Sequence, residues 1–203
     1  MSTRSMTTAN KVTILRMLLI PFFVVQALYY VKTGNETFRL MAIIAFATAA
    51  ICDGVDGYIA RHYNQRSELG AILDPIADKT LLVSGIVLFT FDHHPYFGSL
   101  PLWLTGTIIG RDLIILIGYG VIQMTVGKVK VHPRITGKVA TVFQMLCVSW
   151  ILLKWDTQLP PFWFSSLTLG AAICTGISGL LYVWDGMKQL SSHPTSSASS
   201  EEQ

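Results

Sequence analysis

Four carboxylates close together in an otherwise apolar stretch limit what this chain can become. Asp53, Asp56, Asp74 and Asp78 have long runs of Ala, Ile, Leu and Val before and after them. An Asp near the centre of a membrane helix costs at least ~2.5 kcal/mol. Four of them need a compensating cation, a water-filled cavity, or both. Helical geometry brings them together: Asp53 and Asp56 are three apart and share a face of one helix. Gly70, Asp74 and Asp78 follow each other at intervals of four and share a face of the next. The polar turn Tyr63-Asn64-Gln65-Arg66-Ser67 lets the two helices run antiparallel and close the carboxylates around one site.

The surroundings are those of a membrane protein. The chain is 51% hydrophobic and 13% charged, against about 25% charged in a soluble domain. The fold class expected is an all-α polytopic membrane protein with six transmembrane helices. Its membrane domain covers residues 1–190, and a Ser-rich, acidic tail, 191–203, is expected to be disordered. The spans read as about Val12–Val31, Phe38–Ala60, Leu69–Phe91, Leu102–Met124, Gly137–Leu153 and Phe162–Trp184. About 20 residues cross the hydrocarbon core, so the first run reads as a retained span and not a cleaved leader, with a kink at Pro21. Asp92-His93-His94-Pro95 reads as a solvated loop. Cys52, Cys147 and Cys174 read as buried packing residues.

Basic residues orient the spans. With the N-terminus inside, Arg4, Lys11, Arg61, Arg66, Lys128, Lys130, Arg134, Lys138 and Lys188 are cytoplasmic, and the opposite loops hold Lys32, Arg39 and Lys154. That bias follows the positive-inside rule and opens the carboxylate site to the cytosol. The net charge of +3 gives no reason to expect a nucleic acid partner.

A carboxylate cluster without Cys or His is a hard, all-oxygen site suited to Mg²⁺ or Mn²⁺. Two such ions would neutralise four Asp and leave positive potential for a diphosphate. Gly57 and Gly70 permit close approach of a helix or nucleotide, and Arg61 at the helix mouth suits phosphate. On chemistry alone the carboxylates also suit an ion or proton pathway, with Lys79 and Arg111 as partners. A non-catalytic scaffold is a third reading, but it would tolerate loss of an Asp, and none is missing.

The spacing separates these readings. Asp53, Asp56, Gly57, Ala60, Arg61, Gly70, Asp74 and Asp78 fit D-x2-D-G-x2-A-R-x8-G-x3-D-x3-D at every fixed position, so the chain resembles the CDP-alcohol phosphotransferase family. The resemblance implies an enzyme in which Asp53, Asp56 and Asp74 hold metal. Asp78 would be a ligand of a second metal and the general base, and Gly57, Ala60 and Gly70 would make room for cytidine. It implies attack of an acceptor hydroxyl on the β-phosphorus of CDP-diacylglycerol, with CMP leaving. A homodimer in the bacterial inner membrane, its site facing the cytoplasm, is expected on the same ground.

The acceptor is read from two places. Asn10-Lys11-Val12-Thr13-Ile14-Leu15-Arg16 is similar to the P-N-x-x-T-x-x-R opening of members that use glycerol 3-phosphate, with Ala9 where they have Pro. Arg111, Arg134 and Lys138 match basic positions around the acceptor pocket of members using phosphorylated alcohols. Against this, those members often have a second Arg seven residues after an Arg-Glu pair, and here Arg111-Asp112 leads to Gly118-Tyr119-Gly120. The Arg-Asp pair is similar to members that use phosphatidylglycerol and make cardiolipin. Glycerol 3-phosphate is the acceptor expected, with phosphatidylglycerol as the alternative.

Overall fold

The computed structural model describes residues 8–62, 68–126 and 135–191. Helical positions 8–12, 53–62, 68–76, 78, 119, 121–126 and 189–191 are described by backbone alone. The helices are α1 (Thr8–Thr33), α2 (Glu36–His62), α3 (Glu68–Thr90), α4 (Leu102–Val126), α5 (Ile135–Leu152), α6 (Trp155–Gln158) and α7 (Pro161–Ser191). No strand occurs among the described residues beyond a single bridge between His93 and Phe97. The all-helical expectation holds, and each apolar run lies in a long helix. The structure differs from the reading of the sequence at three places: α1 begins at Thr8, ahead of Val12, α7 continues past Trp184 to Ser191, and the short α6 was not foreseen.

Among the described residues, Thr13–Thr33, Ile135–Leu152 and Pro161–Lys188 are long and apolar enough to cross a membrane. Their outward residues fit that environment: Leu18, Ile135, Phe162 and Leu180 are all exposed. Pro21 lies inside α1, and the helix continues through it.

The chain packs as two compact units. One comprises 1–101 with 145–164, and the other 102–144 with 165–203. In the first, α1 packs against α2 and α3. A turn of Gly34 and Asn35 joins α1 to α2. Gly34 has φ 68° and donates its N–H to the Tyr30 carbonyl at 2.8 Å, the left-handed stop that glycine makes without steric cost. Asn35 Oδ1 accepts the Thr37 N–H at 3.0 Å, capping α2. The buried stripe of α1 is Thr13, Arg16, Ile20, Phe23, Ala27 and Tyr30, and that of α2 is Ala42, Ala45, Phe46 and Ala49. Phe23 and Phe46 meet with ring centroids 5.3 Å apart and fix the register of the hairpin.

Beside the turn, polar groups bind this unit together. Tyr30 donates to Glu36 Oε1 at 3.0 Å, and Lys154 reaches both Tyr30 Oη and Glu36. Arg39 Nε lies 2.5 Å from Glu36 Oε2, and its Nη1 donates to the Leu152 carbonyl at 3.4 Å. The Arg39 hydrogen bond holds the Glu36 carboxyl below its ordinary range against the opposing effect of burial, with help from Tyr30 and Lys154. Tyr30 also meets Tyr96 and Phe97 edge-on, and Trp150 meets Trp155. Such aromatic groups favour the level of the lipid headgroups. The residues after α3 form the loop expected, in which Asp92 Oδ1 accepts the His94 N–H at 3.0 Å.

In the second unit the buried stripe of α7 is small and polar: Thr168, Ala171, Thr175 and Ser178. Gln144 of α5 donates to Thr175 Oγ1 at 3.0 Å. Small side chains let membrane helices approach closely where lipid gives no hydrophobic drive to pack. Of the three thiols only Cys147 is buried, and Cys52 and Cys174 are half-buried. The last two correct the expectation: a thiol is apolar enough to sit at a lipid-facing flank.

Candidate active site

Most of the motif falls on two helices of the first unit. Asp53, Asp56, Gly57, Ala60 and Arg61 occupy the last turns of α2, and Gly70, Asp74 and Asp78 the first turns of α3. Their side chains lie outside the described residues, so their placement rests on backbone register. The buried positions 42, 46 and 49 of α2 continue, at the same three- and four-residue steps, to 53 and 56. On α3 the buried positions 77, 81 and 85 extend back seven residues to 70, 74 and 78. By backbone register, positions 53, 56, 70, 74 and 78 continue the helix faces that carry the core.

This end of α2 is far from its capped start. Asp53 follows Glu36 by seventeen residues, roughly 26 Å at 1.5 Å per residue. One end of the hairpin is held by Tyr30, Glu36, Arg39 and Lys154, and the other carries the carboxylates.

The basic residues expected around an acceptor belong to the second unit. Arg134 lies outside the described residues, and Lys138 is exposed in the first turn of α5. Arg111 of α4 is held from every side. Its Nη1 is 2.6 Å from Asp112 Oδ1, its Nη2 donates to Ser178 Oγ at 2.9 Å, and its Cζ lies 5.7 Å from the Tyr182 ring centre. Two glycines make the space: a Cβ at Gly137 would stand 3.2 Å from Arg111 Nη2, and one at Gly179 would stand 3.1 Å from its Cγ. The guanidinium side chain is only 10% exposed, and its buried Nε has no hydrogen-bond partner among the described residues. The cation is therefore paired with its neighbour's carboxylate, and its Nε–H is uncommitted among the described residues. Gly137 is adjacent to Lys138 in sequence, which brings the first turn of α5 beside Arg111.

Reading the sequence passed over Ser178, Gly179 and Tyr182 of α7, which supply one wall around Arg111. Their signal was faint: serine and glycine in a span read as packing residues. Arg16 belongs to the N-terminal segment 10–16, whose spacing points to the acceptor and not to the carboxylates. It is completely buried, with Thr13 beside it on the same face. The three-residue steps of Asn10, Thr13 and Arg16 were the available clue.

Comparison with known proteins decides among the readings of the carboxylates. The family described as CDP-alcohol phosphatidyltransferase matches residues 6–180, a range that includes every motif position. The chain belongs to the CDP-alcohol phosphatidyltransferase family. It is 31% identical over 179 residues to the CDP-diacylglycerol–glycerol-3-phosphate 3-phosphatidyltransferase of Escherichia coli K12, covering 88% of this chain and 90% of the relative. The same identity and coverage relate it to the protein of that name from Shigella flexneri. It is 34% identical over 184 residues to the probable phosphatidylglycerophosphate synthase of Mycobacterium tuberculosis H37Rv, with 90% and 82% covered. The family bears out the enzyme reading over the transporter and the scaffold.

Proposed function

We propose that the chain transfers a phosphatidyl group from CDP-diacylglycerol to glycerol 3-phosphate, giving phosphatidylglycerophosphate and CMP. The observation that carries this reading is the similarity to relatives of that activity along about nine-tenths of the chain. The intact motif on α2 and α3 supports it.

Asp53, Asp56 and Asp74 hold Mg²⁺ or Mn²⁺ in this reading, and Asp78 is a further ligand. The donor set fits: it consists of oxygens only, and positions 53, 56, 74 and 78 continue the buried stripes of two helices. A divalent cation there supplies electrostatic stabilisation of charge on the leaving phosphate. The chain's own residues do the rest. Arg61 pairs with the diphosphate of the donor, and Gly57, Ala60 and Gly70 leave room for cytidine. Asp78 takes the proton of the acceptor hydroxyl as its oxygen bonds to the β-phosphorus. The bond from that phosphorus to the CMP oxygen breaks, and CMP departs with the electron pair. Arg111, Arg134 and Lys138 bind the phosphate of the acceptor. A phosphate monoester is close to a dianion and calls for several cations.

The chain crosses the bacterial inner membrane six times in this reading, with both termini and the carboxylates at the cytoplasmic side, and works as a homodimer. The charge bias of the loops supports the orientation, as does the collection of Arg39 and Lys154 in one network beside the α1–α2 turn.

One observation favours a second acceptor. The Asp112 carboxylate, 2.6 Å from Arg111, reduces the charge available for a dianion and suits the single charge of phosphatidylglycerol. Purified protein incubated with CDP-diacylglycerol, Mg²⁺ and each acceptor in turn decides between them. Phosphatidylglycerophosphate from glycerol 3-phosphate is the product expected. Cardiolipin from phosphatidylglycerol, with no product from glycerol 3-phosphate, assigns the chain to the second reaction.

A further inference from the structure

The hairpin register places a buried cation at the level of the carboxylate site. Phe23 of α1 lies against Phe46 of α2, and the two helices run antiparallel from a two-residue turn. Seven residues back along α1 from Phe23 is Arg16, and seven residues on along α2 from Phe46 is Asp53. Ten residues each way are Thr13 and Asp56. Seven residues make two helical turns of nearly whole number, so Arg16 stays on the face of α1 that carries Phe23. Burial shows the same: Thr13, Arg16, Ile20 and Phe23 form one enclosed stripe, and Arg16 is 0% exposed.

A guanidinium cannot give up its proton in a protein, so Arg16 carries its charge into the interior. That arrangement is stable only where the charge is compensated. The stretch of α2 at this level carries Asp53 and Asp56 in its sequence, and α3, which also packs on α1, carries Asp74 and Asp78. We propose that Arg16 is the fifth charged member of this site, a positioning residue whose guanidinium orients the α2 carboxylates and offsets part of their charge. It thereby keeps the loaded site positive enough to accept the anionic diphosphate of the donor. The proposal rests on the carboxylates being the metal site.

The test is Mn²⁺ binding to the purified full-length protein in detergent, read by electron paramagnetic resonance, beside steady-state kinetics. Arg16→Gln removes a positive charge from beside the metal, so Mn²⁺ should bind at least about tenfold more tightly. The KM for CDP-diacylglycerol should rise by about tenfold or more. Arg16→Lys keeps the charge without the planar fork. Its Mn²⁺ affinity should stay within about threefold of the unsubstituted protein while kcat falls by at least about tenfold. Arg39→Gln, at the other end of the hairpin, should lower thermal stability and leave Mn²⁺ affinity unmoved.

A purely structural Arg16 predicts the opposite sign: loosened packing would weaken Mn²⁺ binding in both Arg16 variants. Weaker or unchanged binding in Arg16→Gln, or full turnover in Arg16→Lys, overturns the proposal. If Arg16→Gln does not fold, Arg16→Lys decides alone, since changed Mn²⁺ affinity or unchanged kcat contradicts it. Absence of Mn²⁺ binding by the unsubstituted protein removes the metal reading and this proposal with it.

Discussion

Arg16 and Arg111 are both buried in apolar helices, and their surroundings set them different tasks. Arg111 is restrained by Asp112, Ser178 and Tyr182 in a space that two glycines leave open. Gly179→Ala would press a methyl on its Cγ, and the guanidinium would have to move. The KM for glycerol 3-phosphate should rise severalfold in that variant, and by about 10- to 100-fold in Arg111→Ala, where a charged hydrogen bond worth about 1.5–3 kcal/mol is lost. The KM for CDP-diacylglycerol should change little in either; a shift of equal size would place Arg111 at the donor. For the carboxylates, Asp53→Asn, Asp56→Asn or Asp74→Asn should weaken Mg²⁺ dependence and activity together. Asp78→Asn should lose turnover by about 10²- to 10⁴-fold while keeping most of its CDP-lipid binding. Near-normal turnover of Asp78→Asn in a steady-state assay would remove the general-base role.

Elements were easier to read than the faces they bury. Among the described residues each apolar run marked a long helix, because a run of about span length is what composition reveals, although α7 continues seven residues beyond its run. Gly34 and Asn35 marked the first hairpin by ordinary turn chemistry. Which side of each helix turns inward was not legible from hydrophobicity, since lipid-facing residues are as apolar as buried ones. On α1, Leu18 and Phe22 face outward while Thr13 and Arg16 are enclosed, the reverse of a soluble helix. For the carboxylates the spacing, not hydrophobicity, singles out one face of each helix. The network around Glu36 was illegible for another reason: Lys154 is distant in sequence and joins it only through the fold. Its pH dependence follows from sign. The folded Glu36 carboxyl is lowered from about 4.5, so its contribution is complete above that value and is lost as pH falls through the lower, folded one. Glu36 is half exposed, which limits the effect to under about 1 kcal/mol. In thermal unfolding, the difference between the protein and its Glu36→Gln variant should be present at pH 7 and shrink at pH 3; a difference that grows on acidification contradicts the assignment.

For the whole molecule, a membrane bundle that acts on glycerol 3-phosphate, a water-soluble acceptor, should present its carboxylate end to the cytosol. Single cysteines at Gln65 and His93, in a background without Cys52, Cys147 and Cys174, should label from opposite sides of intact cells. Outside labelling of both would break the six-span arrangement. Family and reaction class were legible because eight motif residues stand at fixed spacing. The acceptor was less so, because Arg111 and its partners come from α4, α5 and α7 and no short motif joins them. Product identification decides whether this bundle moves a phosphatidyl group onto glycerol 3-phosphate. Purified protein given CDP-diacylglycerol, Mg²⁺ and radiolabelled glycerol 3-phosphate should release CMP and place the label in phosphatidylglycerophosphate, with Asp53→Asn inactive. Label left wholly in the aqueous phase, with the protein folded and CDP-diacylglycerol bound, would contradict it.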